Sequence, residues 1–317
     1  MSVLVQVENV SKYYGSLKAV DDLSLTVNRG EIVGFLGPNG AGKSTTIKMI
    51  TGFLNPESGR ILIDGEDIAD APVKLKEKMG YLPEGAPAYS DMRVYDFLNF
   101  IGEVRGLKKD ERLTRIKSIA KKVNIASVLA QPIDTLSKGF KRRLGLAQAI
   151  LHDPEILILD EPTDGLDPNQ KHEMRTLISE LAKNKAILIS THILEEVEAL
   201  CHRVVVIAGG KMVANATPSE LLSSNQQPSI ILAISGIEGD EFAIDLSEVN
   251  GVERLEILSR TQKFAEIRLF CGHADGPLQA ITQMARLKKW KIEGLTTHKG
   301  RLDEVFRDIT QRIQKIS

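Results

Sequence analysis

The segment Gly37-Pro38-Asn39-Gly40-Ala41-Gly42-Lys43-Ser44-Thr45 follows the strand-like stretch Glu31-Ile32-Val33-Gly34-Phe35-Leu36 and leads into Thr45-Thr46-Ile47-Lys48-Met49-Ile50, which reads as a helix. An aliphatic strand, a glycine-rich turn and a helix start, in that order, form a Walker A loop. Gly37, Gly40 and Gly42, with Asn39 between them, let successive backbone N–H groups converge on phosphate oxygens. Lys43 supplies a point charge to the β and γ oxygens, and the Ser44 hydroxyl can hold magnesium. Thr45 belongs to the first helical turn, whose positive end completes the anion site. The segment predicts ATP or GTP binding with Mg2+ on an α/β fold of the P-loop NTPase kind.

Upstream, Val3, Val5 and Val7 alternate, as do Leu23, Leu25 and Val27 before the turn Asn28-Arg29-Gly30. Period-two alternation predicts antiparallel strands flanking the nucleotide sheet. Ile61-Leu62-Ile63 before Asp64-Gly65 is a further strand ending in a turn. From about Met92 the period becomes helical: Val94, Phe97, Leu98, Ile101 and Val104 share one face, and Leu113, Ile116, Ile119, Ala120 and Val123 another. A helical subdomain is therefore expected at about residues 87–136.

The continuous run Ile156-Leu157-Ile158-Leu159 suits a strand buried on both faces, as do Ala186-Ile187-Leu188-Ile189 and Val204-Val205-Val206-Ile207. Asp167-Pro168 can cap and open a helix, Gly209-Gly210 suits a tight hairpin, and Thr217, Pro218 and Glu220 read as a helix start. That helix is expected to end near Leu222. This gives a nucleotide domain over 1–222, a linker over 223–229 and a small α+β accessory domain over 230–317. Within the last, strands are expected at Ile230–Ile234 and Phe264–Phe270, and helices at Pro277–Leu287 and Leu302–Ile313. No chemistry is legible in it.

Composition narrows the class. In 317 residues, 41 basic and 42 acidic side chains nearly cancel, so no global field favours nucleic acid or an anionic membrane. Cys201 and Cys271 lack metal-ligand spacing and fit a reducing cytosol. No run of about eighteen apolar residues occurs, so any membrane role is expected to come through a partner.

Two carboxylates, Asp160 and Glu161, end the first buried strand. Asp160 is placed to hold hydrated magnesium and Glu161 to polarise the attacking water; adjacent like charges there call for cations nearby. His192 follows Ser190-Thr191 at the end of another strand and could reach a γ-phosphate.

At this point residues 1 to about 222 closely resemble the nucleotide-binding subunit of ATP-binding-cassette (ABC) transporters. Leu136-Ser137-Lys138-Gly139-Phe140 resembles the signature motif of that family. The resemblance implies that Ser137 and the Gly139 backbone act on the γ-phosphate held by the opposite subunit. It also implies that Tyr14, or alternatively Tyr13, stacks on adenine, that Gly165-Leu166-Asp167 couples the two sites, and that His192 is the switch histidine. The fold implied is the ABC type of P-loop NTPase, with an inserted helical subdomain and flanking antiparallel strands.

Two departures stand out. Glu84 occupies a position where the family usually has glutamine; its carboxylate could bind magnesium but adds negative charge near Glu161, implying slower or more tightly coupled hydrolysis. Lys138 replaces a glycine and Phe140 a glutamine, with Lys138 facing either nucleotide phosphate or, preferentially, solvent. Such variants are familiar in ABC-2 type exporter ATPases, and the gliding-motility-associated exporter ATPase is the closest resemblance. The implied function is an ATP-hydrolysing subunit, a homodimer or paired with a second ATPase. It would power a separate ABC-2 type permease, be attached through it to the cytoplasmic face of the cell membrane, and bind no nucleic acid. An exposed apolar cleft bordered by Glu84, Tyr89 and Phe97 or Phe100 is expected to receive that permease. The alternatives are a soluble ABC ATPase in translation or DNA repair, and a regulatory cassette that does not hydrolyse.

Overall fold

The computed structural model describes residues 2–86, 88–225, 229–237, 239–272 and 277–298. The chain divides into two compact units, Met1–Pro218 and Ser219–Ser317. The first opens with β1 (Val3–Tyr14), β2 (Leu17–Asn28) and β3 (Ile32–Leu36), then α1 (Lys43–Ile50), β4 (Ser58–Ile63), β5 (Glu66–Asp67), α2 (Pro72–Glu77) and β6 (Met79–Leu82). Next come α3 (Val94–Val104), α4 (Lys109–Lys122) and α5 (Lys138–Ile150). The sheet resumes with β7 (Ile156–Asp160), α6 (Pro168–Ala182), β8 (Ala186–Thr191), α7 (Leu194–Leu200), β9 (Arg203–Ala208) and β10 (Lys211–Ala216), and α8 covers Pro218–Asn225.

Two sheets result. β2-β1-β4-β5 is antiparallel, and β10-β9-β3-β8-β7-β6 is parallel except for β10, which pairs antiparallel with β9. Every residue of β3, β7 and β8 is buried, as expected of strands covered on both faces. One core joins Val7, Leu25 and Ile61 of the antiparallel sheet to Val33, Phe35, Ile158 and Val205 of the other, with Ile47 and Ile50 of α1. On the opposite side of β3, a Cβ at Gly34 would lie 2.8 Å from the Cys201 sulfur, so only glycine lets the chain after α7 approach.

Three expectations need correction. Val3 is 40 % exposed while Leu4 and Val5 are both buried, because a register shift between Val3 and Val5 interrupts the alternation. Val104 is 67 % exposed; the buried stripe of α3 passes instead through Gly102, where a Cβ would lie 2.6 Å from the Arg112 stem. The helix expected to stop near Leu222 continues to Asn225, and a strand already begins at Ser229, so residues expected in a linker belong to regular structure.

The second unit takes in α8 from Ser219 onward and continues with β11 (Ser229–Ser235), α9 (Glu241–Ser247), β12 (Val252–Arg260), β13 (Phe264–Cys271), α10 (Leu278–Leu287) and β14 (Lys291–His298). Its antiparallel sheet has the order β12-β13-β11-β14. Alternate residues Ile230, Leu232, Ile234, Ala265, Ile267 and Leu269 pack with Phe242, Leu246 and Ile281 of the two helices in a separate core. This βαββαβ order is the split βαβ arrangement. The helix expected at Leu302–Ile313 lies outside the described residues.

Candidate functional site

Where β3 ends, Gly40 and Gly42 take φ of 79° and 106°, in the left-handed region that favours glycine. Gly42 precedes α1 without a side-chain cap, so the first N–H groups of the helix are left for a ligand rather than a capping oxygen. A Cβ at Gly42 would lie 2.4 Å from the Ala19 carbonyl oxygen. Lys43 is buried, and its ammonium donates to the carbonyls of Gly37 at 2.6 Å and Pro38 at 3.1 Å. Burial lowers its pKa, opposed by the charges of Glu161, Asp160 and Glu84. Two of its three protons are thus engaged, and the third is available to phosphate.

A cavity of about 430 Å³ lies over this loop. It is lined by Asn39, Gly40, Gly42, Lys43, Ser44 and Thr45 from the loop, by Tyr14, and by the carboxylate residues Glu84, Asp160 and Glu161. Tyr14 is half-exposed there, whereas Tyr13 lies under the Lys18 ammonium, 5.4 Å from its ring centre. Asp160 is buried and accepts from the Ser190 hydroxyl. Burial first, and Glu84 in addition, push its pKa up, while the Ser190 bond, Lys43 and Arg142 pull it back. The cations called for by two adjacent carboxylates are therefore Lys43 and Arg142.

Glu161 sits at φ 51°, a conformation costing a non-glycine residue on the order of 1 kcal/mol. Its N–H donates to the Ser190 carbonyl at 3.0 Å, and its Oε1 lies 2.8 Å from His192 Nδ1. A carboxylate oxygen can only accept, which puts the imidazole proton on Nδ1. The histidine remains more than half exposed.

Ser137 and Gly139 do not line this cavity. Ser137 caps α5, accepting from the Phe140 N–H at 3.3 Å, and Gly139 is buried where a Cβ would lie 2.6 Å from Gln170 Oε1. Lys138 is exposed, and its stem passes over Gly165. Asp167 caps α6, accepting from the Gln170 N–H at 2.9 Å.

Some of the site escaped the sequence. Lys18, Ala19, Gly209 and Gly210 also line the cavity, and Gly210 donates its N–H to the Ala41 carbonyl at 3.1 Å. Arg142, on α5, is buried with Nη1 at 3.3 Å from the Pro83 carbonyl and Nη2 at 3.7 Å from Asp164. Gly209-Gly210 reads as a hairpin, but nothing local marks it or the others as part of this site; the topology brings them together.

The expected apolar cleft is differently built. Phe97 is core, while Tyr89 and Phe100 are exposed with ring centres 5.8 Å apart. The larger groove, of about 660 Å³, is lined instead by Phe53, Met79, Tyr81 and Pro83 with Lys48, Lys76 and Arg105.

Among the described residues no cluster of three histidine, cysteine or acidic side chains could hold a metal alone. Mg2+ binds through one or two carboxylates together with substrate phosphates. Ser44, Asp160 and Glu84 bring one hydroxyl and two carboxylates to the lining of a single cavity.

Loop, helix N-terminus and carboxylates define a phosphate-loop nucleotide-binding protein. The ABC transporter family model matches residues 20–164. Linearmycin resistance ATP-binding protein LnrL of Bacillus subtilis (strain 168) is 32 % identical over 311 residues, covering 98 % of this chain and 99 % of its own. Nod factor export ATP-binding protein I of Burkholderia lata is 34 % identical over 316 residues, covering 97 % of each. A solved ATP-binding subunit of an ABC transporter superposes with a TM-score of 0.65 at 33 % identity, over 69 % of this chain and 92 % of that one. The chain belongs to the ATP-binding proteins of ABC transporters, and its fold is that of the ABC ATPases.

Proposed function

We propose that the protein hydrolyses ATP as the motor subunit of an exporter and drives a separate ABC-2 type permease. The carrying observation is the convergence of Lys43, Ser44, Glu84, Asp160 and Glu161 on one cavity, with Glu161 bonded to His192. Glu161 Oε1 accepts from His192, leaving Oε2 to take a proton from the attacking water. Lys43 and the N–H groups of α1 orient the phosphates, and Asn39, Gly40 and Thr45 shape their cradle. Magnesium, when bound, would be held by Ser44, Asp160 and Glu84 and would neutralise charge on the phosphates. Tyr14 is proposed to stack on the adenine ring. Ser137 and Gly139, away from this cavity, are proposed to serve the site of an opposing subunit, either a second copy or another ATPase.

Export is supported by the names of the two relatives, which concern linearmycin resistance and Nod factor export. Among the described residues no helix is long and apolar enough to cross a membrane, so the permease is proposed as a separate chain that holds this one at the cytoplasmic face. The groove at Phe53 and Tyr81, beside the strand that leads to Glu84, is proposed to receive it. The gliding-motility subgroup is proposed on Ser137-Lys138-Gly139 and Glu84.

Gentle extraction from the native membrane, followed by purification on this chain, tests the reading. A multi-spanning ABC-2 type permease should co-purify, and ATPase activity should rise in the complex. Recovery without any integral membrane partner, under conditions that preserve other transporter complexes, would defeat the transport assignment.

A further inference from the structure

We propose that Glu196 is a positioning residue that fixes the contact between Glu161 and His192, a role that rests on the ATP hydrolysis proposed above. Glu196 lies on α7 and is only 3 % exposed. A carboxylate removed from water is costly unless its oxygens are satisfied. Here each oxygen serves a different segment. Oε1 accepts from the Thr163 hydroxyl and Oε2 from the Thr191 hydroxyl at 3.0 Å, and both threonines are buried. Lys171 on α6, 3.9 Å from Oε1, is the nearby cation.

The two threonines locate the effect. Thr163 lies two residues after Glu161, on the loop leaving β7, and Thr191 immediately precedes His192, at the end of β8. Thr191 Oγ1 also accepts from the Ile193 N–H at 3.0 Å, holding the turn that carries His192. One buried side chain therefore ties together the two segments that set the 2.8 Å contact between Glu161 Oε1 and His192 Nδ1. The backbone bond from Glu161 to Ser190 secures the strand side of that contact, and Glu196 secures the far side. Glu196 does not line the phosphate cavity, so it acts through the loops rather than on nucleotide.

The test uses the full chain with Mg-ATP and compares wild type, Glu196→Ala and Glu196→Gln. A misplacement on the order of 1 Å at reacting groups lowers turnover by about 100-fold, and this is the fall in kcat expected for E196A. ATP affinity, read with a fluorescent nucleotide analogue, should stay within about threefold. E196Q keeps an acceptor oxygen and the shape, and a threonine hydroxyl can accept from its amide, so its kcat should stay within about fivefold of wild type. Thr191→Val added to E196A should cost little more, since both act in one unit. A second readout is independent of turnover: the His192 Nδ1 proton, observed by NMR of histidine-labelled protein, should persist in wild type and E196Q and exchange away in E196A. Wild-type kcat in E196A, loss of kcat and nucleotide affinity together, E196Q as slow as E196A, or an unchanged His192 signal in E196A would each overturn the proposal. If the wild type itself shows no turnover, the hydrolysis reading fails, and the NMR signal alone decides the role of Glu196.

Discussion

Replacing His152 by Gln should remove a pH dependence from stability. His152 lies just beyond α5, with Nε2 3.1 Å from the Met79 carbonyl and Nδ1 buried with no hydrogen-bond partner. The carbonyl only accepts, so the proton sits on Nε2 and Nδ1 is bare. A proton on Nδ1 would place a second N–H where nothing accepts it and a charge near Arg105. Burial, and then Arg105, hold the pKa at about 4 against an ordinary 6.5. As pH falls below 6.5 the unfolded chain takes up this proton and the folded chain does not, so the contribution is fully present above 6.5 and is lost toward pH 4. Between about pH 7.5 and about pH 5.5 the loss is roughly 1 kcal/mol, allowing for partial exposure of the ring. With a urea slope of about 2 kcal/mol/M, the wild-type midpoint should fall by about 0.5 M more than that of His152→Gln over this interval. Circular dichroism at the two pH values reads it. Equal shifts in the two proteins would refute the reasoning.

Glu161→Gln should lower phosphate release by about 10²–10⁴-fold, because the amide oxygen can still accept from His192 but cannot take the proton of water. An unchanged rate would remove Glu161 from the base role. Gly42→Ala forces a side chain into φ 106° and against the Ala19 carbonyl, 2.4 Å away, so nucleotide affinity measured by calorimetry should fall by at least about tenfold. Affinity within about twofold of wild type would show that the loop yields.

The elements legible in the sequence are those whose pattern follows from burial on both faces or from a glycine turn. β3, β7 and β8 read as unbroken aliphatic runs because helices or a second sheet cover each side, and the phosphate loop reads because only its glycines permit that turn. β12 is not legible: Val252–Arg260 lies at the edge of its sheet and is mostly exposed, so charges replace the alternation a half-buried strand shows. Nor is α9, being only seven residues long with two buried side chains, too few to establish a period. In the site, Lys43 is legible because it follows the glycine loop and opens α1, and Asp160 and Glu161 because they end a buried strand. Arg142, Glu196 and Gly210 are not, since their partners lie on other elements and no spacing within the sequence encodes the meeting.

The strand order β10-β9-β3-β8-β7-β6 has a consequence for the growing chain. β3 leads into the phosphate loop, yet its lateral neighbours are β8 and β9, and Gly210, which braces Ala41, comes later still. On the ribosome the antiparallel pair β1 and β2 can close as soon as it emerges, whereas Ile32–Leu36, all apolar or glycine, must wait unpaired until Ala186–Thr191 has been made, and with one edge open until Arg203–Ala208 follows. Long-range pairing of this kind is slow and leaves apolar chain open to aggregation in the interval. ATP therefore cannot template the early folding of its own cradle, and the nascent chain depends on its antiparallel sheet, or on a chaperone, until nearly the whole first unit has been synthesised.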